Sequence, residues 1–368
     1  MLTINPPKRF LFGPGPTQVA PRVYEAMSQP VVGYLDPYFF DVAAHVKQGL
    51  QTVFGTSNEM TLAISGTGSS GMETAVSNFV PAGSKFAVLV GGYFAERLCE
   101  MGRRHGANVV RLDKPWGEPA TDSETREFIL KERPQTVAYV HAETSTGVLQ
   151  NGKAICDAAH EVGALVISDC VTSLGGTKIG VDETGIDIAY SCTQKGLSCP
   201  PGLSPFTASP RAVERLHARK QPNTVWYFDL ALLADYYGPA HKYHHTAPIS
   251  NFYALREGLA LIDEEGVDVR WARHLATHEL LVKGLQAMGL TMHVAAGSRI
   301  PHLNTVRVPE GVDDLAVRKR LMADYGIEIA GGFGPLAGKI FRIGLMGPLA
   351  TPEHTEFFLD AFGKALRG

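Results

Sequence analysis

From residue 60 the chain alternates short apolar runs with longer segments whose apolar residues recur at helical spacing. The runs are TLAIS (61–65), KFAVLVG (85–91), NVVRL (108–112), TVAYVH (136–141), ALVISD (164–169), IDIAYS (186–191) and PFTAS (205–209). They are too continuous to leave one face wet, so they predict strands covered on both sides. The segments between them, such as GKAICDAAHEVG (152–163), predict helices closed by glycine. Strand and helix in repeated alternation predict an α/β fold, a mostly parallel sheet between helices. In such sheets a ligand is expected at the carboxyl ends of the strands.

The pattern changes after about residue 250. The long helical segment EGVDVRWARHLATHELLVKGLQAMG is followed by the strand-like TMHVAA, NTVRV and KIFRIG. These predict a smaller C-terminal α/β domain. Near the start, FGPGP is too rich in glycine and proline for regular structure, and is expected to cross between domains or subunits. The expected division is an N-terminal arm (1–20), a large domain (21–250) and a small one (251–368).

Composition narrows the function. The 368 residues are 45% hydrophobic and 19% charged, with a formal net charge of −3 and no basic block. Nothing recruits nucleic acid or an anionic membrane surface. The apolar runs are strand-sized, well short of the ~20 residues of a membrane span, and the first residues lack a signal-peptide pattern. Five cysteines, an odd count without a CxxC pair, predict reduced thiols in a cytoplasmic protein.

Four local features carry candidate chemistry. Ser65-Gly66-Thr67-Gly68-Ser69-Ser70-Gly71 follows a predicted strand and opens a helix, where unpaired N–H groups and small hydroxyls make a phosphate cup. It also spells G-x-G-x-x-G, but the next strand ends without the acid that a dinucleotide ribose needs, and no Gly-Lys-Ser/Thr follows for a P-loop. A structural glycine turn stays open. Asp169 ends a strand, where it could face a bound ring or cap a helix. Lys195 lies beyond a buried strand and before a glycine-proline loop; in apolar surroundings its amine becomes a nucleophile, while on the surface it would be merely solvated. His244 and His245 invite a metal, but neighbours on a strand face opposite ways and no companion ligand stands at a suitable spacing, so no metal is expected.

Taken in order, FGPGPT, GTG, HAETSTGVLQ, SDCVTSLGG, SCTQKGLSCPPG, KYHHTAP and FRIGLMG resemble the class V aminotransferases of pyridoxal-phosphate (PLP) fold type I. The nearest branch is that of the alanine–glyoxylate and serine–glyoxylate (serine–pyruvate) enzymes. The resemblance implies a seven-stranded, mostly parallel sheet and a homodimer with shared active sites. It implies that Lys195 holds PLP as a Schiff base and moves the substrate proton, and that Asp169 pairs with the pyridine nitrogen. Phe94 stacks on the ring and Val171 packs its far side. Thr67, Gly68, Ser69 and Gln194 serve the phosphate, and Thr144 lies near the ring oxygen. Tyr243 and Thr246 reach the other subunit's phosphate. Arg342 takes the substrate carboxylate, and Gly33 and Tyr34 lie near the entrance. Several relatives carry tryptophan at Phe94, histidine at Ser69 and histidine at Tyr34, so substrate preference is open.

The implied reaction moves an amino group from L-alanine or L-serine to glyoxylate, giving pyruvate or hydroxypyruvate and glycine. Another pair, pyridoxamine–pyruvate or aminophosphonate–pyruvate, is the alternative. A cysteine desulfurase would need a late cysteine, and none follows Cys199. A nicotinamide-dependent dehydrogenase is motivated only by Gly66, Gly68 and Gly71. An inactive cofactor-binding relative is opposed by the presence of Asp169, Lys195 and Arg342 together.

Overall fold

A computed structural model describes residues 3–368; Met1 and Leu2 of the expected arm lie outside the described residues. All seven apolar runs are strands, β1 (Met60–Ser65), β2 (Lys85–Val90), β3 (Asn108–Asp113), β4 (Thr136–Val140), β5 (Leu165–Asp169), β6 (Ile188–Tyr190) and β7 (Leu203–Ala208). They form one sheet in the order β1-β7-β6-β5-β4-β2-β3, in which only β7 runs antiparallel to its neighbours.

Side-chain alternation explains why the runs are continuous. Ala87, Leu89, Val137 and Tyr139 face one core layer, with α1 (Pro37–Phe54) among its helices. Phe86, Val88, Val90, Ala138 and Val140 face the other, beneath α2 (Gly68–Phe79) and α3 (Tyr93–Arg104). Both sets are apolar because both faces are covered. Every β-to-α connection on the parallel strands then delivers a loop to the same edge of the sheet.

The helix α4 (Ile249–Glu265) lies beyond the expected boundary at 250, yet Phe252, Leu255, Leu259 and Ile262 join the core of the large sheet. The apolar core changes over at Gly266, between α4 and α5 (Val267–Ala287). The smaller sheet has β8 (Leu303–Arg307), β9 (Ala330–Gly331) and β10 (Ile340–Gly344) in the order β8-β10-β9. Its core joins Leu281 and Leu285 of α5 to Phe341, Ile343, Phe358 and Phe362. TMHVAA forms no strand. It makes one isolated bridge, Met292 to Val306, before the chain turns away through the 3₁₀ turn Ala296–Ser298.

The arm joins the two bodies within one chain. Phe10–Leu11 pairs in parallel with Ile327–Glu328, and Gly344 N–H donates to Phe12 O at 2.7 Å. Seven residues after Phe10 the arm has reached the lysine loop, where Thr17 N–H donates to Gln194 O at 3.0 Å. Gly15 sits between, at φ +117°, and a Cβ there would stand 3.0 Å from Lys195 Cγ. Glycine is required both by that backbone angle and by the close approach to the lysine stem. Among the described residues no helix is long and apolar enough to cross a membrane.

Candidate active site

Lys195 follows β6 in a turn whose backbone is held from the arm, since Thr17 Oγ1 donates to Lys195 O at 3.0 Å. The side chain is buried, and its Nζ donates to Thr144 Oγ1 at 2.7 Å and Thr172 Oγ1 at 2.8 Å. Those two hydroxyls also touch each other. Thr144 comes from the loop after β4 and Thr172 from the loop after β5, so three strand ends converge on one amine. Burial pushes the Lys195 amine below the ordinary lysine range; Cys192, Asp169 and Glu143 oppose that shift and Arg342 adds to it. A neutral, desolvated amine is the nucleophilic form of lysine.

Asp169 ends β5 with 2% exposure and forms no ion pair among the described residues. Oδ1 accepts from Val171 N–H and Oδ2 from the Tyr190 hydroxyl, each at 2.9 Å. No helix starts there, so Asp169 is not a helix cap; its Oδ1 instead closes a turn onto Val171 N–H. Burial raises the carboxyl pKa, against the opposing hydrogen bonds of Val171 and Tyr190 and the charges of Lys195 and Arg97. A buried acid without a resident cation is suited to a cationic ring nitrogen.

The phosphate-cup candidate lies at the start of α2. Thr67 is the N-cap residue, yet no side chain caps this helix start. First-turn N–H groups without a capping side chain form a ready anion site. A Cβ at Gly68 would meet Val171 Cγ2 at 2.9 Å, so the loop closes directly on the residue that follows the Asp169 turn. Ser69 Oγ accepts from Arg97 Nη1 at 3.0 Å, and the Arg97 guanidinium lies 4.9 Å from the Phe94 ring centre. Phe94 also faces the lysine, its centre 5.6 Å from Lys195 Nζ. Gln194 Oε1 is buried without a partner among the described residues. An uncapped helix start, an arginine beside it and an unpartnered buried amide fit a phosphorylated aromatic aldehyde.

Arg342 reaches the site from β10 of the smaller sheet. It is 3% exposed, its Nε donates to Gly331 O at 2.7 Å, and its Nη1 donates to Thr144 O at 3.3 Å. Nη2 has no hydrogen-bond partner among the described residues, and the guanidinium lies 4.1 Å from the Phe333 ring centre. Burial lowers its pKa to about 10, opposed by the charge of Glu143. An arginine held by one edge presents the rest of its fork to a carboxylate.

The remaining candidates lie elsewhere in the chain. Tyr243 is 56% exposed, and its ring meets Tyr34 with centres 4.9 Å apart. Thr246 and Gly33 are exposed as well. Tyr34 and Tyr243 form no hydrogen bond or ring contact with Lys195, Asp169 or Arg342 among the described residues. The expectation that His244 and His245 face opposite ways fails, because residues 241–244 adopt no strand. Their Nδ1 atoms lie 2.8 Å apart, and His245 Nε2 reaches Ser65 Oγ at 2.6 Å. Residues not singled out from sequence include Thr172, Tyr190, Glu143, Ser145, Arg97 and Phe333. Thr172, Glu143 and Ser145 stand inside quoted motifs. Nothing local marks Tyr190, Arg97 or Phe333, which arrive from other elements.

The class-V aminotransferase family model matches residues 9–336. Alanine–glyoxylate aminotransferase of Oryctolagus cuniculus is 38% identical over 365 residues, 98% of this chain and 93% of that protein. (S)-ureidoglycine–glyoxylate transaminase of Bacillus subtilis (strain 168) is 38% identical over 371 residues, 96% of this chain and 89% of that protein. A crystal structure of alanine–glyoxylate aminotransferase from Nostoc sp. superposes with a TM-score of 0.98 at 44% identity, covering 100% of this chain and 97% of that one. The chain belongs to the class-V aminotransferases, with the fold type I architecture and pyridoxal 5′-phosphate as cofactor.

Proposed function

We propose that the protein transfers the amino group of L-alanine or L-serine to glyoxylate, releasing pyruvate or hydroxypyruvate and forming glycine. The observation that carries this reading is the buried Lys195 amine, 2.7 Å and 2.8 Å from two threonine hydroxyls, with Asp169 and Arg342 around it. The 38% and 44% identities to alanine–glyoxylate aminotransferases support the substrate pair.

When bound, PLP supplies an aldehyde that captures amines and a ring that takes up electrons from the substrate α-carbon. Lys195 would hold that aldehyde covalently and, once displaced, take the proton from the α-carbon. Thr144 and Thr172 hold Nζ in place between these roles. Asp169 would keep a proton on the ring nitrogen, Phe94 and Val171 would enclose the ring, and Thr67, Gly68, Ser69 and Gln194 would hold the phosphate. Arg342 would bind the carboxylate shared by every donor and acceptor, which leaves the α-carbon toward Lys195.

Tyr243 and Thr246 are proposed to complete the phosphate site of a second subunit, and their exposure supports a homodimer with shared sites. Gly33 and Tyr34 would border that entrance and influence donor choice. Five free, buried cysteines support a cytoplasmic setting. A second reading keeps glyoxylate and takes (S)-ureidoglycine as donor, supported by the Bacillus subtilis relative.

The test is the visible spectrum of PLP-loaded protein. The band should bleach with L-alanine or L-serine and return with glyoxylate. A band that ignores both donors but answers another amine moves the substrate. No band after PLP addition overturns the reading.

A further inference from the structure

Glu143 is a buried acid that the proposed mechanism does not use. It is 4% exposed and lies in the segment after β4, next to Thr144. Its carboxylate only accepts hydrogen bonds. Oε2 takes Phe94 N–H at 3.2 Å and Ala95 N–H at 3.4 Å, and Oε1 takes Ser145 N–H at 3.0 Å and Ser145 Oγ at 2.6 Å. Ser145 Oγ in turn accepts from Tyr93 N–H at 2.9 Å. Three successive N–H groups at the start of α3 are thus held by a single two-residue clamp from the loop after β4. A Cβ at Gly92 would lie 2.4 Å from Glu143 Cγ, so the helix start and the carboxylate are in direct contact.

Burying a carboxylate is costly, and an ordinary hydroxyl at the N-cap would satisfy this helix start at less cost. Glu143 does something a local cap cannot. It comes from the loop that carries Thr144, one residue from a direct contact of Lys195 Nζ. It therefore ties the backbone of Phe94 to the loop of Thr144.

We propose that Glu143, with Ser145, is a positioning residue for the cofactor, holding the Phe94 ring in register with Thr144 and Lys195. This rests on the reading of Phe94 as the ring-stacking residue. Among the described residues Glu143 hydrogen-bonds only to Phe94, Ala95 and Ser145, so the positioning is exerted through the start of α3 and the loop of Thr144.

The test is a double-mutant cycle read by PLP affinity of the apoenzyme and by the induced circular dichroism of bound PLP. Glu143→Gln should weaken PLP binding about tenfold alone, and by less than about twofold when Phe94→Ala is already present. Ser145→Ala should give the same pattern with a smaller loss. Both single variants should reduce the induced dichroism, which reports ring pose. Losses that add to that of Phe94→Ala, or no loss, overturn the proposal, because a merely structural cap acts independently of the ring. If Glu143→Gln lacks a cooperative melt, the Ser145→Ala cycle decides by the same criterion. Wild-type protein that binds no PLP would instead overturn the functional reading.

Discussion

The floor of the site and its rim are built on opposite terms. On the floor, Lys195, Asp169 and Arg342 are 7%, 2% and 3% exposed, and each is held by hydrogen bonds from at least one other element. On the rim, Tyr243 is 56% exposed and Tyr34 is its ring partner. Buried polar groups are costly unless they are satisfied, so the floor is fixed by the fold of a single chain. An exposed aromatic pair carries no such penalty and remains available to a second surface. On the proposed reading, chemistry belongs to the floor and assembly to the rim.

The comparison breaks first at Lys195. Lys195→Ala should lower turnover by at least about 10³-fold, since it removes both the covalent tether and the proton carrier. PLP should still bind through its ring and phosphate contacts, which dialysis and fluorescence would show. Near-normal turnover in single-turnover kinetics would remove Lys195 from its role.

Arg342→Ala should have the next largest effect, about 10²-fold in kcat/KM for L-alanine, as two charge-assisted hydrogen bonds are lost. PLP content should not change. The same variant sharpens the electrostatics. The positive charge of Arg342 helps to hold the Lys195 amine below its ordinary range. Removing a neighbouring cation raises the pKa of a base. PLP uptake by the apoenzyme, followed against pH, should therefore shift its midpoint upward in Arg342→Ala. A downward shift would contradict the placement of the two groups.

The smallest effect belongs to the rim. Tyr243→Ala should weaken PLP binding by about threefold, the scale of one hydrogen bond. Wild-type PLP affinity should fall on dilution below the dimer dissociation range, measured by sedimentation alongside fluorescence. Affinity independent of both changes would leave Tyr243 outside any cofactor site.

Much of this was legible in the chain. The seven strands follow from runs such as KFAVLVG, because a strand covered on both faces leaves its full apolar length in the sequence. Asp169 and Lys195 stand out in the sequence because one ends a buried strand with a polar group and the other follows a buried strand in the next loop. TMHVAA was misjudged because a short apolar run does not show whether an edge is free to pair. The histidine pair was misjudged because alternation holds only on a strand, and His244 and His245 lie outside one. Glu143 looked like one more motif residue, since its partners, Phe94 and Ala95, are about fifty positions away.

The sequence by itself determined the elements, the layer order of apolar positions and the residue types at the strand ends. Those depend on local periodicity and on which groups tolerate burial. The tertiary structure alone decided that Thr144 and Thr172 meet on one amine and that Arg342 enters from the smaller sheet. It also decided that the arm passes Gly15 against the lysine stem and that His244 turns to His245. These are distances between residues far apart in the chain, or turns outside regular structure, and no local pattern encodes them.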